Sequence, residues 1–329
     1  MSHLSAPVDS ARAPTGFGPL GVGVPGFAHP LLAPAEWAEL LRAARGFVLP
    51  PEPDGVGAGP GYRRVTPVHW AVLNVCNGPG SRPDPHCLPA AARLREAGGR
   101  AQRVGGGWWS GDGREGGRAQ RVGGGWWSGD GREGGRAQRV GEGWWSGDGR
   151  AGVRLLGHLD LGRGARPFAE LIADAHRYRE WYKVDGFWLD RCPTDRTLLP
   201  ATRRLAGALR ALGDDGYLVF SHGAHPHPGY AESADQLVTF AGSWTDYRWS
   251  QVAEWTADYP PDRFCHLVHG VPRTHLDEAL RIARWQGAGT VYFTDRRAAG
   301  AADAAAVAWE SLPGYWDTFV SRIGPGVSE

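Results

Sequence analysis

The chain has 329 residues, 36 basic and 35 acidic side chains, a formal net charge of +1 and 42% hydrophobic content. A balance so close to zero excludes a dedicated nucleic-acid or anionic-membrane binder, which would carry a clear basic excess. No apolar run approaches the roughly 18 residues that cross a bilayer. The stretch from Met1 to Gly21 lacks a charged-then-apolar leader pattern, so the chain as written is expected in the cytoplasm, or outside the cell if translation starts elsewhere.

In chain order, Leu20–Val24 predicts a first buried strand and Pro34–Arg45 a helix. The Pro/Gly stretch Pro50–Gly61 predicts a loop, Trp70–Val75 a second strand and Pro89–Ala97 a second helix. Three tandem copies of GGRAQRVGGGWWSGDGRE then begin at Gly98, Gly116 and Gly134, the third altered at Glu142 and Ala151. The unit has neither helical nor strand periodicity. Its glycine density makes ordering costly, so a flexible insertion over residues 98–151 is expected. Its Trp pairs, such as Trp108 and Trp109, leave open a sugar-stacking appendage or a compact subdomain.

Beyond the repeats, Val153–His158 predicts the third strand. Phe168–Tyr182 follows as a helix, with Phe168, Leu171, Ile172, Ala175 and Tyr178 at helical spacing. Strands Gly186–Asp190, Tyr217–Phe220, Leu237–Phe240, Phe264–Val268 and Thr290–Phe293 complete eight, with helices Thr197–Leu212 and Thr274–Gln286 among them. Such short apolar runs suit parallel strands buried on both faces. Without the insertion and a disordered tail (1–15), about 260 residues remain, near the length of a (β/α)8 barrel. The expected fold is therefore an α/β TIM barrel over residues 16–97 and 152–325, with the repeats inserted between strands 2 and 3. The cysteines Cys76, Cys87, Cys192 and Cys265 show no C-x-x-C and read as isolated buried thiols.

A barrel of this class carries its chemistry just past the strand C-termini. Those positions hold His29, Asn74, Asn77, His158, Asp160, Asp190, Arg191, Ser221, His222, Ser243, His269, Thr294 and Asp295. Trp188, Trp244, Tyr247 and Trp249 lie near them and suit stacking on sugar rings. Asp190 is the leading catalytic candidate, because a carboxylate ending the apolar run VDGFWLD is costly without purpose. Asp160 and Asp295 are candidates for a second carboxylate, or else helix caps. Asp185, at the other end of the strand, reads as structural. Asn74, His158, His222, Trp244, Tyr247 and His269 are the candidate substrate-binding residues. His225 and His227 form an H-x-H that lies among prolines beyond its strand, and no metal is expected there. The GxGxxG-like strings of the repeats follow no strand, so no phosphate-binding cofactor is expected.

Five segments carry a family resemblance: LNVCNGPG (residues 73–80), LLGHLDLGRGARPFAELIADAHRYREWYKVDGFWLDR (155–191), ADQLVTFAGSWTDY (234–247), RFCHLVHGVP (263–272) and GAGTVYFTD (287–295). They resemble the spherulation-specific family 4, or spherulin-4-like, proteins. The resemblance implies a (β/α)8 barrel related to glycoside hydrolases that act on α-1,4-linked galactosamine-containing polysaccharides. It implies an Asp-Glu pair after the fourth strand, where this chain has Asp190 and Arg191. It also implies a Glu after the sixth strand, where this chain has Ala241, and an Asn-Pro-Gly after the fifth, where it has Ser221, His222 and Gly223. Glycosidic cleavage ordinarily needs two carboxylates. Three readings stay open: a hydrolase using Asp190 with Asp160 or Asp295, a non-catalytic glycan-binding barrel, and a metal-dependent hydrolase using His158, His222, His269 and Asp190. The expected partner is an oligosaccharide or polysaccharide, with neither nucleic acid nor membrane; nothing in the sequence sets the oligomeric state.

Overall fold

The computed structural model of the protein describes residues 20–26, 28–49, 63–97, 152–213, 216–297 and 308–323. The expected tail (1–15), the Pro50–Gly61 loop and the three repeats (98–151) lie outside the described residues. The elements run β1 (Gly21–Val24), α1 (Pro34–Ala44), β2 (Phe47–Leu49), β3 (Arg63–Val65), β4 (Val68–Leu73), α2 (Cys87–Ala97), β5 (Arg154–Asp160), α3 (Phe168–Arg177), β6 (Gly186–Asp190) and α4 (Leu199–Ala211). They continue with β7 (Tyr217–Ser221), β8 (Gln236–Ser243), α5 (Trp244–Tyr247), β9 (Phe264–His269), α6 (Leu276–Trp285), β10 (Thr290–Thr294) and α7 (Trp316–Ile323).

Eight parallel strands close a barrel in the order β1-β10-β9-β8-β7-β6-β5-β4, the expected (β/α)8 architecture. Its lower interior is filled by side chains. The Trp70 and Trp188 rings lie 5.1 Å apart, and the Trp70 indole N–H donates to Gln236 Oε1 at 2.7 Å. Gln236 Nε2 in turn donates to Thr290 Oγ1 at 2.8 Å. A Cβ on Gly23 would lie 2.1 Å from the Trp70 ring, so β1 needs glycine where that indole crosses. On the outside, α3 buries Leu171 and Ala175, and α7 packs Phe319 on Phe293, ring centroids 5.8 Å apart.

Several expected boundaries shift for local reasons. The strand expected at Trp70–Val75 ends at Leu73, because the N–H groups of Val75 and Cys76 turn back onto Gly78 O. Cys76 lies on that turn and is exposed, unlike the buried Cys87, Cys192 and Cys265. β8 runs past its expected end at Phe240 to Ser243, through a bulge between Val238 and Phe240. There the Ala241 N–H meets Gly223 O and the Gly223 N–H meets Val238 O. The helix expected over Phe168–Tyr182 widens into a π turn from Tyr178, ended by left-handed Lys183 (φ 55°). The antiparallel β2–β3 pair and α7 were not expected at all; three-residue strands are too short to show a period.

Candidate functional site

The mouth of the barrel is built first by β5 and β6. Their register pairs His158 with Trp188 and Asp160 with Asp190. Trp188 meets Trp70 inside the barrel, so strand alternation turns Asp190, two residues on, toward the same interior. His158 and Asp160 share that side of β5. The His158 Nε2 atom is 3.5 Å from Asp190 Oδ2. Burial alone would raise the Asp190 pKa. The hydrogen bond and charge of His158, the Arg191 N–H and the Ser221 hydroxyl outweigh it and hold the carboxyl below its ordinary value. The side chain still keeps 34% of its surface open at the mouth.

Arg191 takes a left-handed backbone conformation (φ 48°), which sends its guanidinium sideways to Asp160 rather than to Asp190. Nε donates to Asp160 Oδ1 at 2.7 Å, and Nη2 donates to Oδ2. The Gly162 N–H adds a bond to Oδ1 at 2.8 Å. Burial and the Asp190 charge push the Asp160 pKa up, but Arg191 and Gly162 more than offset them, and it lies below the ordinary value. Both carboxyls nearest the mouth centre are therefore held ionised.

Asp295 is elsewhere. Its strand, β10, stands four places from β6 in a ring of eight, on the opposite wall. It is exposed, and its Oδ1 accepts the Gly314 N–H at 2.9 Å, so it anchors the chain leading to α7. Asp185 is structural: buried, it accepts the Leu155 N–H at 2.9 Å. Continuing the β4–β5 register one residue past Leu73↔Gly157 sets Asn74 beside His158. Asn74 Oδ1 and His158 Nδ1 are both buried and lack a hydrogen-bond partner, which is uncommon for buried polar atoms and marks a place for a ligand or water.

The other sequence candidates are not gathered there. Tyr247 is fully buried on the outside of the barrel wall, its hydroxyl 2.8 Å from His266 Nδ1 and its ring against Phe240 and Phe293. Trp244 is buried beside it, against His275. His222 packs on Phe220 and Tyr230, and burial lowers its pKa to about 4. His269 ends β9 against Trp309, ring centroids 5.7 Å apart, and burial lowers its pKa despite the Asp246 charge. The His158, His222, His269 and Asp190 set of the metal-hydrolase reading is thus not brought together. His227 Nδ1 accepts the Gly229 N–H at 3.1 Å, and His225 packs on Trp255. Ala241 is exposed at the end of β8. Two features went unread in the sequence: the Arg191–Asp160 pair and Trp309, which follows the last strand and carries no motif.

Fold and site together define a TIM barrel with an acidic, polar mouth. The model of spherulation-specific family 4 matches residues 148–323, more than half of the chain, and the chain belongs to that family. No curated protein sequence matches it. Among solved structures, the crystal structure of Aspergillus clavatus Sph3 in complex with GalNAc is similar, with a TM-score of 0.61 and 20% identity. The match covers 93% of this chain and 98% of that one, and it supports the barrel fold. Among the described residues, no helix is long and apolar enough to cross a membrane.

Proposed function

We propose that the barrel mouth binds a galactosamine-type oligosaccharide or polysaccharide, with Asp190 as the anchoring carboxylate and Asn74 and His158 beside it. Family membership and the GalNAc bound to the similar Sph3 barrel support the ligand class. The observation that carries the reading is the state of the two central carboxyls. A glycosidase needs one carboxyl protonated as general acid, with its pKa raised. Here His158 and Ser221 lower that of Asp190, and Arg191 lowers that of Asp160. An ionised Asp190 suits accepting hydrogen bonds from sugar hydroxyls or pairing with a galactosamine ammonium. Ala241 offers no replacement acid.

Hydrolysis is the second reading, and the Asp160–Asp190 register favours it. In-register strand positions put the two backbones about 5 Å apart, so the side chains start from a spacing that lets them act on one glycosidic bond. Calorimetric titration of the purified chain with galactosamine and N-acetylgalactosamine oligomers, alongside a reducing-end assay, separates the two. Saturable binding without turnover, lost in Asp190→Asn, is expected. Turnover that disappears in Asp160→Asn would establish hydrolysis instead. Unchanged affinity in Asp190→Asn would remove the site.

A further inference from the structure

We propose that His29, Asp84 and Cys87 form a binding site for a zinc-class divalent cation at the rim of the barrel. His29 lies in the loop after β1, and Asp84 and Cys87 lie where the loop after β4 enters α2. One donor atom from each residue falls within 4.8 Å of the other two, and His29 Nε2 is 3.1 Å from Asp84 Oδ1. In a tetrahedral zinc site, bonds of 2.0–2.3 Å put the donors roughly 3.3–3.8 Å apart. Closure therefore needs movements of about an ångström or less.

The donor set is one imidazole nitrogen, one carboxylate oxygen and one thiol sulfur. Sulfur and nitrogen donors select zinc-like ions over magnesium or calcium, which prefer all-oxygen sites. The carboxylate is already held in place. Asp84 Oδ1 accepts the N–H groups of His86 and Cys87, both at 2.8 Å, and the Asp84 N–H donates to the Tyr182 hydroxyl at 3.0 Å. The same Oδ1 faces His29 Nε2, so a carboxylate oxygen of Asp84 already stands beside the imidazole. Cys87 is fully buried beneath it. His86, exposed, sets its ring edge-on to His29 at 5.8 Å.

Binding forms a metal–sulfur bond and releases the Cys87 thiol proton to solvent. Nε2 of His29 must be bare, so its proton moves to Nδ1. That step gives up a 3.3 Å contact from the exposed Leu31 N–H, which water replaces. The cation would tie the loop after β1 to the loop after β4 and stiffen one side of the mouth. The sequence gives no hint of this, because His29 is far from the other two ligands and no metal spacing results.

The test uses the full chain without an affinity tag. Isothermal titration with zinc should show equimolar binding with proton release. Cobalt(II) should give a thiolate-to-metal charge-transfer band in the near ultraviolet. Cys87→Ser should abolish that band, and His29→Gln should weaken zinc binding by at least about tenfold. His225→Gln, at the separate H-x-H, should change neither. Because Cys87 is buried, Cys87→Ser can fail to fold; His29, with a partly exposed side chain, then carries the test. Absence of zinc binding by the wild type, binding unaltered by His29→Gln, or loss of binding in His225→Gln would each overturn the proposal.

Discussion

Replacing Arg191 with glutamine tests the central electrostatic claim. The substitution removes the guanidinium that makes two hydrogen bonds to Asp160 and leaves the carboxylate with the Gly162 N–H. Hydrogen bonds to charged groups contribute about 1.5–3 kcal/mol each when shielded. The Arg191 side chain is 56% exposed, and solvent screening brings the pair to roughly 1 kcal/mol. At neutral pH the melting temperature should therefore fall by about 2–4 °C. The pH dependence is the sharper readout. Asp160 has a folded-state pKa below its ordinary 3.8, so the folded protein binds fewer protons than the unfolded chain around that pH. The stability from the pair is complete above the unfolded value and is lost as the pH falls through the folded one. Paired thermal melts of wild type and variant, from about pH 7 down to about pH 2.5, should show a gap that closes in acid. Carboxyl-carbon NMR should report a higher Asp160 pKa in the variant. A gap that persists in acid, or no gap at neutral pH, would refute the pairing.

Asp190→Asn should abolish saccharide binding in calorimetry with little change in melting temperature, because the side chain is 34% exposed at the mouth and the asparagine amide oxygen can still accept the Arg191 N–H. Tyr247→Phe should do the reverse: it leaves the buried His266 Nδ1 without its 2.8 Å partner, costing about 1–3 kcal/mol in denaturant melts, with affinity intact. Loss of affinity there would return Tyr247 to the site. Burial lowers the pKa of His222 to about 4 and of His266 to about 3. Both must charge on unfolding, so stability should hold above pH 6.5, the unfolded histidine value, and decline as the pH falls toward 4; a flat profile over that range would contradict their burial as neutral imidazoles. Ala241→Glu combined with Arg191→Glu should raise hydrolysis of galactosamine oligomers in a reducing-end assay, by supplying an acid free of the guanidinium.

The barrel was legible because a parallel strand buried on both faces leaves an apolar run, and eight such runs alternate with helical periods. Asp190 was legible for a related reason: its run, GFWLD, ends in a charge where the strand meets the mouth. Side-chain direction was only partly legible. Alternation from Trp188 places Asp190 correctly, but the partner of Arg191 depends on a positive φ that nothing about an arginine announces. Trp244 and Tyr247 misled because they follow a strand end, where the mouth residues of the other strands also stand. The short helix α5 begins there, capped by Ser243, and carries both rings outward onto the wall. The gathering of His29, Asp84 and Cys87 is a property of loop closure, and no local sequence window contains it.

Counting carboxylates at the mouth is therefore a poorer guide to chemistry than asking which of them can hold a proton. Asp160 and Asp190 stand in register on adjacent strands, and a count alone would predict a hydrolase. Each, however, has acquired a partner that stabilises its anion: a guanidinium for Asp160, an imidazole and a hydroxyl for Asp190. An acid suited to a sugar leaving group needs the opposite surroundings, apolar or crowded with negative charge. Arginine at 191 adds a cation that suppresses protonation of Asp160, and alanine at 241 carries no carboxyl of its own. Arg191 thus favours the anion of Asp160, and His158 with Ser221 favours that of Asp190.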